Sequence, residues 1–376
     1  MRRAVALLAI LLSLTLVAPQ AEAQSARPVA LVADSDDAAD REIGTTWLGW
    51  RGPDRDGHAP GADWPTGFGR LARSWRVPLE KSFTGPIVGG DRVFDIASAD
   101  SGEVVLRALG RADGRELWRQ TWSAPGSVPF FAQRSGDWVR STPAYDGQTL
   151  YVGDMHEVLR AFDGATGEEI WRVDFPARYG TDIPPFGFAS SPMVDGDFLY
   201  VQAANGLVKL RKDNGESLWH SSPSGESMMN AGAFSSPVMA TIKGVPQLVT
   251  FTRTALVGID PDNGSILWER AVPNFRGMNI VTPVVWNDAV LVSQYQNGTY
   301  LYPAGSDAPA APAWHGKASG YMSTPIVIED HAYVHLGNGR FTCIDLTTGE
   351  EKWRTKSFGD YWSLVYRGDK ILRKMV

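Results

Sequence analysis

The chain is poor in cysteine, in histidine and in long apolar runs. Cys343 is the only cysteine among 376 residues, which excludes an internal disulfide and any metal site built from several thiolates. It sits in the alternating stretch RFTCIDL and is read as a small buried hydrophobe. Six histidines are present. The one suggestive pair, His331 and His335 in HAYVH, lies in a strand-like stretch that would hold them about 13 Å apart, too far for one ion to bridge. The formal charge is −6, and no basic cluster answers a phosphate backbone, so nucleic acid is excluded as a partner. The longest apolar run, from Ala4 to Val17, is short of the roughly 20 residues of a membrane-spanning helix.

That run reads as part of a leader. Arg2 and Arg3 precede it and Ala21-Glu22-Ala23 follows as a small-x-small cleavage site, the pattern of an exported protein. Residues 1–23 are expected to be removed, leaving no transmembrane segment. Loss of Arg2, Arg3 and Glu22 takes the charge from −6 to −7. Residues 24–45 are rich in Ala, Asp and Ser and read as a flexible linker. Their DSDDAAD stretch lacks the glycine that bends a calcium loop. Residues 46–70 are expected to form an N-terminal segment packed on the domain that follows, residues 71–376.

What the chain has in abundance is 14 tryptophans, 39 glycines and 24 prolines. Many of these fall in a repeat. DGRELW ends at Trp118, DGATGEEIW at Trp171, DNGESLW at Trp219, DPDNGSILW at Trp268 and DLTTGEEKW at Trp353. Each places a glycine (Gly114, Gly167, Gly215, Gly264, Gly349) four residues before the tryptophan. Upstream of each frame run three further strand-like stretches, the first opened by a Ser/Thr-Pro or related step, as in STPAYDG, SSPMVDG, SSPVMAT, VTPVVWN and STPIVIED. Four short strands divided by turn signals and repeated along the chain describe β-propeller blades.

The glycine supplies the positive φ of the turn between the third and fourth strands, and the Asp or Asn before it can hold the turn's N–H groups. Ile170 and Trp171 are adjacent and should face opposite sides of their strand; both are apolar, so both are expected to be covered by neighbouring blades. Adding Trp75 and Trp314 makes seven positions whose six intervals average about 46 residues, the length of one blade. Six complete blades are expected. A fragment beginning near Ser363 follows them, and a strand at Trp75 serves the last blade and closes the ring.

The frame D-x-x-T-G-x-x-x-W resembles the repeat of PQQ-type propellers, the quinoprotein alcohol dehydrogenase-like proteins that also include the BamB-like exported family. The segment WLGWRGPDRDG, Trp47 to Gly57, is similar to one that often precedes such propellers. The resemblance implies an all-β propeller of four-stranded blades, seven to eight in number with the last incomplete here. It implies an exported protein, in the periplasm or associated with the outer membrane in the cell envelope. It leaves two functions open.

A PQQ-dependent dehydrogenase of this family would carry adjacent cysteines against the quinone, acidic and amide side chains around calcium, and an aspartate base. One cysteine excludes the first, and no local sequence matches the others, so neither PQQ nor calcium is expected. A non-catalytic scaffold binding a protein partner in the envelope fits better, with a glycan or small ligand as the second binding option. The loops entering the second to fifth blades should crowd one mouth of the channel. Their arginines and aromatics have the composition of interface hot spots. The candidates are Phe130, Phe131, Arg134, Trp138, Arg140, Tyr179, Asp182, Phe186, Phe234, Arg276 and Asn279.

Overall fold

The computed structural model describes residues 5–6, 46–67, 72–221, 234–359 and 362–375. The expected leader (but for Val5 and Ala6), the linker at 24–45 and most of the loop entering the fourth blade lie outside the described residues. Six four-stranded antiparallel sheets follow one another, each a simple meander, and a two-stranded sheet comes last. Blade 1 comprises Ile87–Gly89, Arg92–Ser98, Glu103–Gly110 and Glu116–Ser123. Blades 2 to 6 run from Ala144 to Asp174, Met193 to Ser221, Val238 to Ala271, Val284 to Gly316 and Ile326 to Arg354. The final sheet pairs Trp362–Arg367 with Lys370–Met375. First strands of neighbouring blades lie against one another, so they line the axis, and fourth strands form the outer wall.

The repeat motif joins blades at that outer wall. In the turn after Asp163, the carboxylate Oδ1 accepts N–H groups from Ala165 and Thr166, and Gly167 N–H returns to the Asp163 carbonyl. The five motif glycines have φ between 70° and 77°, where L-residues with a Cβ are strained. Each turn also lies flat on the tryptophan of the preceding blade. A Cβ on Gly167 would come within 2.7 Å of the Trp118 ring, and Gly215, Gly264 and Gly349 press in the same way on Trp171, Trp219 and Trp314. The indole N–H then donates across the seam: Trp118 to Gly164 O at 3.1 Å, Trp171 to Lys212 O at 3.1 Å, Trp219 to Pro261 O at 3.2 Å, Trp314 to Leu346 O at 2.6 Å. Trp75 does this to blade 1, stacking under Gly114 and donating to Arg111 O. It takes the place of a preceding fourth strand's tryptophan while residues 72–77 run as extended chain outside any sheet.

One expectation is corrected. Ile170 does not pack under a neighbouring blade; it is 52% exposed, and its counterparts Leu117 and Leu218 are 38% and 43% exposed, whereas Leu267 at the same place in blade 4 is half-buried against the core. The pairing of third and fourth strands shifts register between Glu169 and Trp171, and the same shift recurs beside the tryptophan in blades 1, 3, 4 and 6. A bulge breaks the alternation on which the expectation rested and turns the extra residue outward.

Candidate functional site

The channel is filled from within the chain. Trp47 bridges to Val88 of blade 1 through two backbone bonds, and Leu48 O accepts Tyr145 N–H of blade 2. Trp50 Nε1 reaches Thr282 Oγ1 of blade 5 at 2.8 Å. The guanidinium of Arg51 donates to Thr324 O and Pro325 O of blade 6, and that of Arg55 to Ser191 O and Pro192 O of blade 3. The chain then leaves beside the last sheet, where Tyr366 N–H donates to Gly57 O and Ala59 N–H to Tyr366 O. Of the six blades and the final two-stranded sheet, all but blade 4 are thus bonded to one stretch of about a dozen residues. Both its entry at Val88 and its exit at Tyr366 are near the turns joining first and second strands, so it is a loop inserted from one face and blind to the other.

Arg51 and Arg55 are strained and buried together. Both are below 9% exposed and both have left-handed backbone, φ 64° and 56°, a conformation that persists in a bulky residue only where its surroundings over-determine it. Burial pushes Arg55 down to about 9, helped by the neighbouring Arg51 charge, and pushes Arg51 to about 10 against the opposing pull of Asp56. Both remain cationic at neutral pH. Backbone carbonyls solvate them, Arg51 holding four and Arg55 two. They fix the loop; no carboxylate bonds directly to either guanidinium among the described contacts.

Around this plug runs a belt made by the Ser/Thr-Pro steps. Gly85 N–H donates to Thr142 Oγ1, Thr142 N–H to Ser191 Oγ, Ser191 N–H to Ser236 Oγ and Thr282 N–H to Thr324 Oγ1, all between 2.9 and 3.1 Å. The hydroxyl is therefore there to receive the neighbouring inner strand's N–H, and the proline fixes the extended chain that presents it.

The opposite mouth is open and aromatic. Both the loops entering each blade and the hairpins between second and third strands end at this face. Phe83 stacks with Trp138 at 5.2 Å, and the Arg140 guanidinium lies over Phe83 at 4.7 Å and over Phe186 at 5.5 Å. Phe186 meets Phe234 edge-on at 5.2 Å, and Arg253 covers Phe234 at 4.7 Å. Further round, Arg276 lies over Phe275, which contacts Tyr295, which contacts Tyr321 at 4.5 Å. Alternating rings and guanidiniums thus run along the loops and hairpins of blades 1 to 6. Burial pushes Arg140 down to about 10 and lowers Arg253 as well.

The sequence candidates divide accordingly. Trp138, Arg140, Phe186, Phe234 and Arg276 are brought to this mouth. Phe130 is 85% exposed on a short 3-10 turn, Phe130–Ser135; the side chains of Phe131 and Arg134 in that turn lie outside the described residues. Asp182 is exposed on the loop entering blade 3. Tyr179 ends a one-turn helix capped by Asp174 and stacks on Phe175 and His220, which makes it a brace for its own loop. Asn279 is corrected: it is 1% exposed and its Nδ2 holds Thr252 O at 2.9 Å, so it is internal. Phe83, Arg253, Phe275, Tyr295 and Tyr321 belong to the site and were missed. Arg253 and Tyr295 sit in hairpins between second and third strands, which open at the same face as the searched loops; that topological rule was the signal available.

The profile of the outer membrane protein assembly factor BamB family matches residues 100–355, from the second strand-turn of blade 1 to the end of blade 6. The chain belongs to that family. BamB of Shewanella oneidensis is 24% identical over 248 residues, covering 61% of this chain and 60% of that protein. The chain therefore spans only about 60% of the length of this relative. The tetrathionate hydrolase of Acidithiobacillus ferrooxidans is 23% identical over 65% of this chain and 48% of its own. Among solved structures, BamB from Moraxella catarrhalis superposes with TM-score 0.60 at 14% identity, covering 80% of this chain and 83% of that one. The quinohemoprotein alcohol dehydrogenase ADHIIG of Pseudomonas putida gives 0.59 at 14% identity, covering 88% and 75%. At these identities the solved structures establish the PQQ-type propeller fold. The family profile begins at residue 100, so the plug at Trp47–His58 and the Trp75 staple lie outside it.

Proposed function

We propose that this protein is a non-catalytic scaffold of the cell envelope that binds a protein partner at the aromatic and arginine-rich mouth of its channel. The observation that carries the reading is the continuity of that arc: rings and guanidiniums from separate loops are placed in contact, a composition and compactness that favour protein interfaces. The family supports it, since the matched profile is that of an outer membrane assembly factor. The leader-like N-terminus and the same kinship support export to the envelope.

The residues do not fit a quinone with calcium. Cys343, the only cysteine, is buried in the third strand of blade 6, so no vicinal disulfide can face a quinone. Among the described residues no three His, Cys, Asp or Glu side chains converge as a metal site. His331 and His335 lie at opposite ends of one strand. The axis is occupied by two arginines whose charge the chain's own carbonyls absorb.

The test is site-specific photo-crosslinking in the producing cell's envelope. A photoreactive residue at Phe186 or Trp138 is expected to give a discrete protein adduct, and one at Ile170 on the outer wall is expected to give none. Equal adducts at both places would sink the reading, as would dye-linked alcohol oxidation after addition of PQQ and calcium.

A further inference from the structure

The mouth is not uniform in charge. In the segments that reach it from blades 1 to 3, acids and bases mix: Glu80, Asp100, Asp137, Asp154, Glu157 and Asp182 accompany Lys81, Arg140 and Arg178. In blades 5 and 6 the corresponding described segments are residues 272–283, 295–298, 317–325, 336–340 and 355–359. They carry Arg276, Lys317, Arg340 and Lys356; the one acid of these loops in sequence, Asp360, lies outside the described residues. Four cations against that one acid, on a chain of net charge −6, make a local excess of positive charge.

That sector also holds a cavity of about 280 Å³ between blades 5 and 6. Tyr295, Gln296, Lys317, Ser319, Asn338 and Arg354 line it. Gln296 stands at φ 63°, a left-handed hairpin position that aims the hairpin tip at the cavity's edge. Arg354 is engaged by Glu351, whereas the described ion pairs leave Arg276 and Lys317, both exposed, without a carboxylate. From Phe275, under Arg276, runs the apolar stripe Phe275, Tyr295, Tyr321, with ring centroids 5.9 and 4.5 Å apart; Phe275 is 37% exposed, and Tyr295 lines the cavity together with Lys317.

Resting on the scaffold reading above, we infer that this sector is the specificity site of the mouth and that it takes an extended acidic polypeptide segment of the partner. Apolar side chains of that segment lie on the Phe275–Tyr321 stripe, and carboxylates meet Arg276 beside Phe275 and Lys317 in the cavity beside Tyr295. The charge complementarity steers the encounter and fixes direction along the stripe.

The probe is a short fluorescein-labelled peptide alternating Glu with Phe, followed by anisotropy on the full chain. The expected result is binding that weakens with salt and falls by about tenfold or more in the double variant Lys317→Glu, Arg276→Glu. Lys243→Glu, in a hairpin on the opposite face, is expected to leave it unchanged, and all variants should retain the wild-type melting temperature to within a few degrees. Equal binding of a peptide with Gln for Glu would overturn the inference, as would an unchanged affinity in the double variant. Tighter, variant-sensitive binding of a sulfated polysaccharide or of phosphatidylglycerol vesicles would overturn it in favour of those ligands. If envelope cross-links at Phe186 persist undiminished in the double variant, this site fails while the scaffold reading stands.

Discussion

The seam between blades 2 and 3 and the seam between blades 4 and 5 solve one problem in two ways. At the first, the repeat operates in full. Trp171 lies under Gly215 and donates to Lys212 O, Lys212 pairs with Asp146 at 3.2 Å, and near the axis Thr142 N–H meets Ser191 Oγ. At the second, blade 5 has no Gly-x-x-x-Trp turn for Trp268 to cover. Trp268 folds back into its own blade and donates to Gln247 Oε1 at 2.5 Å, becoming 5% exposed. Arg270 replaces it across the seam, holding Gly305 O and Ala308 O, each at 2.8 Å. At the axis, the Thr282 hydroxyl receives Trp50 of the plug. A repeat protein can lose its consensus at one joint if single long-range contacts take over there.

The largest effects are expected where each seam relies on one side chain. Trp171→Ala should lower unfolding free energy by about 3–5 kcal/mol, through lost ring burial and an unfilled slot beneath Gly215. Arg270→Ala should lower it by about 2–3 kcal/mol by stranding two carbonyls. Denaturant titrations of both variants check this. If Arg270→Ala proved silent, the substitution of guanidinium for indole at the fourth seam would be wrong.

The difference between the seams also marks what the sequence could say. A Gly-x-x-x-Trp frame recurring at about 46-residue spacing is legible without coordinates, because period and turn chemistry are local. It correctly yields four-stranded blades and the positive φ at Gly167. Trp75 does occupy the tryptophan slot against blade 1, but not as the expected strand of the last blade, since residues 72–77 pair with no sheet. The bulge that exposes Ile170 lies one residue from the same motif and was not legible, since alternation fails at a bulge without a compositional sign. Arg270, Gln247 and the plug arginines were invisible for a different reason. Each occurs once, and its long-range partners lie 21 to 274 residues away, where no periodicity reports them. At the mouth, composition singled out Trp138, Arg140, Phe186, Phe234 and Arg276, yet the hairpin residues Arg253 and Tyr295 required knowing which strand ends share a face.

A pH-dependent effect sharpens the comparison on the mouth side of the seam between blades 2 and 3. Glu157, 3% exposed, accepts Ala204 N–H of blade 3, and burial pushes its carboxyl up to about 8. The fold therefore prefers the neutral acid. Below about pH 4.5 folded and unfolded chains are both protonated there, so its full stabilisation is present. Between that value and about 8 only the folded chain keeps the proton, so stability falls as pH rises. Glu157→Gln keeps an acceptor for Ala204 and cannot ionise. It is expected to flatten that slope and to gain about 4 kcal/mol at pH 8, read as melting temperature against pH. An unchanged slope would remove Glu157 as its source.

The smallest effect addresses whether the plug truly replaces the hydroxyl belt at the fourth seam. Trp50→Phe keeps a ring in the channel and removes one indole N–H; Thr282→Val keeps the shape and removes the acceptor. Each should cost about 1 kcal/mol. Because the two groups serve one bond, the double variant should cost less than the sum of the singles, and a double-mutant cycle isolates the difference. At Thr142→Val, by contrast, the lost hydroxyl partner is the backbone N–H of Gly85, and pairing it with Trp50→Phe should give simple additivity. Additivity at Thr282 as well would mean that Trp50 only fills space there. The belt's continuity across blades 4 and 5 would then have to come from the backbone alone.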